Sequence, residues 1–111
     1  MADDVLRRRA EVLKAMGHPS RLAILEALTA GERCVGDLQA VVGSDLSTVS
    51  RHLGVLRQAG IIRDRRQGVQ IFYSLRVPCV LNFFTCVDAV LDVAPAQRRE
   101  AVACCLPAEV R

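Results

Sequence analysis

The sequence lacks any apolar run near the roughly 20 residues that a membrane-spanning helix needs, although 51% of its 111 residues are hydrophobic. A spanning helix is therefore excluded. More apolar side chain is present than one small core absorbs, because a domain of this size buries only about two-thirds of its unfolded surface. The N-terminal stretch Met1-Ala-Asp-Asp-Val-Leu-Arg-Arg-Arg9 is acidic before it is basic and has no hydrophobic segment of the secretory kind, so a cytoplasmic protein is expected. There is no Cys-X-X-Cys pair, no strand-helix-strand alternation and no obvious base beside a reactive thiol, which removes a thiol redox enzyme and leaves no enzymatic reading. The five cysteines are odd in number and unevenly spaced, against a disulfide framework, and in a reducing compartment they are expected to stay thiols.

Net charge is also small, at +3, but it is unevenly placed. From Leu46 to Arg76, six arginines (Arg51, Arg57, Arg63, Arg65, Arg66 and Arg76) stand against one acid, Asp64, so this stretch carries +5 and the remainder −2. A phosphate-facing surface requires such a concentration, since neutralising phosphates releases condensed counterions. A solvated basic face is the plainer alternative. In the same stretch Leu46, Val49, Leu53 and Leu56 recur at helical spacing and form one apolar stripe, which turns Ser47, Thr48, Ser50, Arg51 and Arg57 outward.

Helical pattern dominates the chain. A first helix is expected over about 3–16, with Asp3 and Asp4 near its N-terminus and Gly17 after its end. Pro19 opens a second, whose buried side is Leu22, Ile24, Leu25 and Leu28, and Gly31 closes it. A third, over about 35–42, turns Val35, Leu38 and Val41 inward. The Gly43-Ser44 turn with Asp45 as cap then starts the fourth helix, so that two helices and a short turn make a helix-turn-helix. After Gly60 the pattern becomes extended. Ile61, Ile62, Val69, Ile71, Phe72 and Tyr73 are strand formers, and Gln67-Gly68 is the turn of a hairpin with Arg65, Arg66 and Gln67 at its tip. Pro78 opens a last helix, Cys79 to Val93, that is apolar on nearly every side.

These elements predict a mainly α protein with a small β-hairpin wing. It is a winged helix-turn-helix in the order α-α-α-α-β-β-α over a single domain, 1–111, with a possible short C-terminal helix. A helix that is apolar all round must be buried, and so small a chain cannot surround it. A second copy is expected to do so, with the helices at about 3–16 and 78–93 as the dimerisation elements. A two-fold dimer presents two reading helices about one turn of DNA apart to an inverted repeat. On that reading Ser47, Thr48, Ser50 and Arg51 enter the major groove, where Arg51 can be bidentate to guanine, and Arg65, Arg66 and Gln67 reach the backbone or minor groove. Arg57 is as well explained by solvation, His52 by burial with a neighbouring backbone partner, and His18 by local capping.

Gly17-His-Pro-Ser-Arg-Leu-Ala-Ile-Leu25, Cys34-Val-Gly-Asp-Leu38, Ser47-Thr-Val-Ser-Arg-His-Leu53 and Leu56-Arg-Gln-Ala-Gly-Ile-Ile62 together resemble the ArsR family of winged-helix transcriptional repressors, over about residues 5–92. The resemblance implies a homodimer that sits on operator DNA and leaves it when a metal ion, metalloid or other signal binds. Many metal-responding members carry Cys-Val-Cys-Asp-Leu where this chain has Cys34-Val-Gly36-Asp-Leu38, so one thiolate is kept and the second is lost. Arsenite or antimonite wants thiolates, commonly three. Cys79 and Cys86 lie roughly 10 Å apart along one helix and cannot share an ion within a chain, although antiparallel copies could bring them together. The adjacent Cys104-Cys105 can chelate arsenic or sense oxidants. The candidate sensor set is therefore Cys34, Cys79, Cys86, Cys104 and Cys105, with no cofactor required. A redox- or persulfide-responsive repressor and a winged helix that binds protein instead of DNA are the alternatives.

Overall fold

Helix starts and stops follow the punctuation of the chain. In the computed structural model, which describes residues 2–91, α1 spans Ala2–Met16, α2 Pro19–Leu28, β1 Arg33–Cys34, α3 Val35–Val42, α4 Leu46–Gln58, β2 Ile62–Gln67, β3 Gln70–Leu75 and α5 Val80–Leu91. The fold is the expected winged helix-turn-helix, with five helices and a small antiparallel sheet. The possible C-terminal helix and Cys104-Cys105 lie outside the described residues. The chain divides into two units, one ending at Arg76 and one beginning at Val77.

In the first unit, Ile24, Leu25 and Leu28 of α2, Leu38 of α3, Val49, Leu53 and Leu56 of α4, and Ile61 and Ile62 at the wing's entry are buried. Three side chains expected inside are exposed. Leu46 opens α4 and lies a turn before the first buried residue of that helix. On α3 the buried stripe passes from Leu38 to the half-buried Val42 by an i, i+4 step, which turns Val41 away. Leu22 falls at the margin of the face made by Ile24, Leu25 and Leu28.

The helix-turn-helix corner is built by backbone chemistry. Gly43 caps α3 in the left-handed region, at φ 77°, and its N–H donates to the Gln39 carbonyl at 2.8 Å. A side chain there would be strained. Asp45 then takes the extended N-cap conformation that starts α4.

The sheet holds one strand more than the expected hairpin. Arg33 and Cys34 pair with Tyr73 and Phe72, so the order is β1-β3-β2 and the middle strand is the last in sequence. Two residues are too few for a periodic signal, which is why only the hairpin was legible. The hairpin pairs Gln67 with Gln70 across a two-residue turn of Gly68 and Val69. Gly68 has the positive φ, 63°, that such a turn demands. Val69 is therefore at the tip, fully exposed, and not in the strand.

In the second unit α5 begins at Val80, one residue after the expected start, because Pro78 and Cys79 form a turn. Only Val80 of this helix is buried, while Phe83, Val87, Val90 and Leu91 are exposed. No helix among the described residues is long and apolar enough to cross a membrane.

Candidate nucleic-acid interface

The helix that follows the Gly43 corner carries its polar residues outward. Ser47, Ser50 and Arg51 of α4 are exposed and Thr48 is half-buried, while Val49, His52, Leu53 and Leu56 hold the opposite side in the core. The Asp45 carboxylate makes no backbone cap bond. It accepts the Ser47 hydroxyl at 2.6 Å, and that bond, with Thr48 beside it, holds the carboxyl below the usual aspartate range. The first hydroxyl of the helix is thus occupied, and Ser50 and Arg51 carry no such internal bond among those resolved.

The wing brings a second charged surface into the same unit. Every residue from Arg63 to Gln70 is exposed. Arg65 and Arg66 are neighbours, yet their surroundings differ. Arg65 donates from Nε and Nη2 to the two Glu32 carboxylate oxygens, at 3.0 and 2.7 Å, and from Nη1 to Gln67 Oε1 at 2.7 Å. Its guanidinium also lies 5.0 Å from the centre of the Phe72 ring, its partner in the strand register. That fork keeps Glu32 ionised below the ordinary glutamate range and raises the proton affinity of Arg65. Of the three tip residues, Arg65 is tied both to Glu32 and to Gln67. Arg57 approaches Asp64 only at 3.9 Å, with both side chains well exposed, so solvation describes it well.

His18 and His52 behave as structural residues. His18 is the N-cap of α2, and its Nδ1 accepts the Ser20 N–H at 3.0 Å. His52 is buried as expected, but its partner is a side chain, Arg21 Nε at 3.1 Å, and not a neighbouring backbone group. Sequence spacing offers no sign of that bond, because the two residues are 31 apart.

The candidate sensor residues are separated. Cys34 is half-buried at the N-cap of α3, and a β-carbon on Gly36 would lie 3.9 Å from its sulfur. A thiol at position 36 would therefore have adjoined Cys34, and glycine leaves that side bare. Cys34 and exposed Cys86 are free thiols, whereas Cys79 is disulfide-bonded, so the expectation that every cysteine stays reduced does not hold for it. No group of three or more His, Cys, Asp or Glu among the described residues could hold a metal ion.

Comparison with known proteins gives concordant results. A helix-turn-helix domain family matches residues 16–65. An uncharacterized helix-turn-helix transcriptional regulator of Mycobacterium tuberculosis H37Rv is 36% identical over 91 residues, covering 81% of this chain and 80% of that protein. A biofilm growth-associated repressor of Xylella fastidiosa 9a5c is 37% identical over 102 residues, covering 89% and 87%. Among solved structures, the homodimeric winged helix-turn-helix DNA-binding domain of a possible ArsR-family regulator from Mycobacterium bovis superposes with a TM-score of 0.72 at 33% identity, covering 82% of this chain and 84% of that one.

Proposed function

The chain belongs to the ArsR family of winged helix-turn-helix transcriptional regulators, and on that premise we propose that it is a cytoplasmic, homodimeric repressor that reads an inverted-repeat operator. The observation that carries this reading is the exposed Ser47, Ser50 and Arg51 edge of α4, continuous in sequence with the arginine-rich wing. Thr48 and Ser50 supply hydroxyls to phosphate or base edges, Ser47 does so on leaving Asp45, Arg51 reads guanine, and Arg66 and Gln67 hold backbone. Arg65 reaches a phosphate only by leaving Glu32. The protein acts by binding, not by catalysis. Dimerisation agrees with the homodimeric Mycobacterium bovis domain and covers the apolar surface that α5 leaves open.

The signal that releases the operator is read by thiols. In the first version arsenite or antimonite is held by a set drawn from Cys34, Cys79, Cys86, Cys104 and Cys105, with Cys34 as one ligand. In the second, two thiols are oxidised to a disulfide and give two electrons and two protons to the oxidant, or a thiolate attacks the sulfane sulfur of a polysulfide, forming its own S–S bond as the donor's S–S bond breaks and the shortened polysulfide leaves with the electron pair. The disulfide bond of Cys79 favours the second version, since a bonded sulfur is no thiolate ligand. Either change needs to couple to the operator by only about 1 to 3 kcal/mol to lower affinity roughly 5- to 150-fold.

Titration of the protein with duplex DNA across a range of salt tests the output. Steep salt dependence is expected, and Arg51→Ala should lose about tenfold or more, the loss of one bidentate base contact. Unchanged affinity and slope in that variant would remove α4 from the interface, and no salt-dependent binding at all would favour a protein-binding winged helix. Release by arsenite, antimonite, zinc, cadmium and an oxidant, compared on single cysteine-to-serine variants, tests the input. If no ion releases the DNA, the metalloid version fails; an unaltered response of Cys34→Ser would take Cys34 out of the site.

A further inference from the structure

The Gly17-His-Pro-Ser-Arg21 run and the His52 of α4 are separate motifs in the sequence, and the fold joins them. Among the described residues, His52 is the one buried polar or charged residue of the core, at 7% exposure. A buried imidazole is costly unless its ring nitrogens are satisfied. Its Nδ1 accepts from Arg21 Nε at 3.1 Å, and the same guanidinium donates from Nη1 to the Ala15 carbonyl at 3.1 Å, in the last turn of α1. One planar fork thus bridges the end of α1, the start of α2 and the middle of α4. The His18 ring packs on the His52 ring with centroids 4.5 Å apart, and His18 is itself fixed as the cap of α2.

Two chemical facts follow. Arginine donates and never accepts, so Nδ1 of His52 carries no proton and the imidazole is neutral with its hydrogen on Nε2. A guanidinium has its donors in a rigid fork, so satisfying both acceptors sets the distance between the α1 end and α4, which a lysine with a single flexible ammonium would not. His52 follows Arg51 directly, so whatever fixes its ring fixes the helix that presents Ser47, Ser50 and Arg51.

We infer that Arg21 and His52 are the positioning pair of the reading helix: the guanidinium clamps α4 to the end of α1 through a neutral imidazole and sets the angle at which α4 meets a duplex. The inference rests on the DNA-binding reading above. Protonation opposes the clamp, because an N–H on Nδ1 would face the N–H of Arg21. The groups whose fields act on the ring are the basic side chains of His18 and Arg21 from the start of α2 and of Arg51 from its own helix; α1, α3 and β2, which also pack on α4, bring no acid to bear on it. Burial first, and these fields second, hold the ring below the usual histidine range. The unfolded chain therefore binds more protons than the native one as pH falls below about 6.5, so the clamp is complete at neutral pH and weakens on acidification.

The experiment starts with a duplex selected from a random-sequence pool by the wild-type protein, so that failure of selection counts against DNA binding itself and, with it, this pair. Affinities for that duplex are then compared by fluorescence anisotropy for wild type, Arg21→Met, His52→Leu and His52→Asn, with melting curves alongside. Arg21→Met and His52→Leu are expected to lose about tenfold or more, the equivalent of one charge-assisted hydrogen bond. His52→Asn places an amide oxygen where Nδ1 stood and should stay within about threefold of wild type, because the acceptor is retained. Wild type should lose affinity as the pH is lowered below about 6.5, the ordinary histidine value beneath which the buried ring titrates, and His52→Asn should not follow it. Should the two truncating variants fail to fold, the His52→Asn affinity and the two pH profiles decide alone. Successful selection followed by a His52→Leu protein that binds like wild type, a His52→Asn protein as impaired as an unclamped one, or identical pH profiles overturns the positioning role and leaves the DNA-binding reading standing.

Discussion

At the scale of the residue, chemically identical side chains acquire different tasks from their neighbours. Arg65 and Arg66 are adjacent in β2 and indistinguishable in the sequence, but Arg65 is forked onto Glu32 and laid over Phe72. Glu32 stands 33 positions earlier, and no local periodicity could have paired them. The consequence is measurable as counterion release. Arg66→Ala should flatten the log–log salt dependence of DNA binding by about 0.9, the share of one phosphate contact, while Arg65→Ala should leave the slope near that of wild type. Titrations from about 50 to 200 mM salt check it; equal changes of slope would mean that Arg65 exchanges Glu32 for phosphate on the DNA. The outward placement of Ser50 and Arg51 was legible from the apolar spacing of α4, whereas the capture of Ser47 by Asp45 depends on a side-chain rotation that spacing does not specify.

At the scale of the element, two glycines in the helix-turn-helix should respond in opposite directions to the same change. Gly43 is held at φ 77°, where a β-carbon is strained whatever space surrounds it, so Gly43→Ala should cost about 1 kcal/mol and lower the melting temperature by roughly 4–8 °C. Gly54 lies inside α4, and nothing within 4 Å would meet an added β-carbon. There alanine removes backbone freedom from the unfolded chain, so Gly54→Ala should stabilise by about 0.5–1 kcal/mol. Thermal melts at matched protein concentration compare them, and a destabilised Gly54→Ala would show that α4 is not limited by helix propensity. Helix order, the Gly43 corner and the hairpin turn were readable because each rests on residues a few positions apart. The strand β1 was not, because its two residues are strand only by virtue of Phe72 and Tyr73 beside them.

At the scale of the whole molecule, the apolar excess of the composition reappears as surface. Leu6 and Leu13 of α1 and Phe83, Val87, Val90 and Leu91 of α5 are exposed. For the homodimer proposed above, these are the side chains a second copy has to cover. Val90 is 84% exposed, so a charge there is hydrated in a single chain and buried without a partner in a dimer. Val90→Asp should therefore halve the mass seen by sedimentation at micromolar concentration and weaken operator binding with it. A dimer of undiminished stability would place Val90 outside the interface. Thiol chemistry also belongs to this scale, since Cys34 and Cys86 stand in different units and Cys79 is already bonded.

The sequence alone determined the class of the protein: its helix order, its corner, its wing and the charge on them are set by short-range periodicity, turn chemistry and composition, which act between residues close in the chain. Only the tertiary structure decided which charged groups are free to act. Arg21 finds His52 and Glu32 finds Arg65 because folding brings groups distant in the chain within hydrogen-bonding reach. Such pairings depend on three-dimensional proximity and on the exclusion of water, and neither is encoded in spacing along the chain.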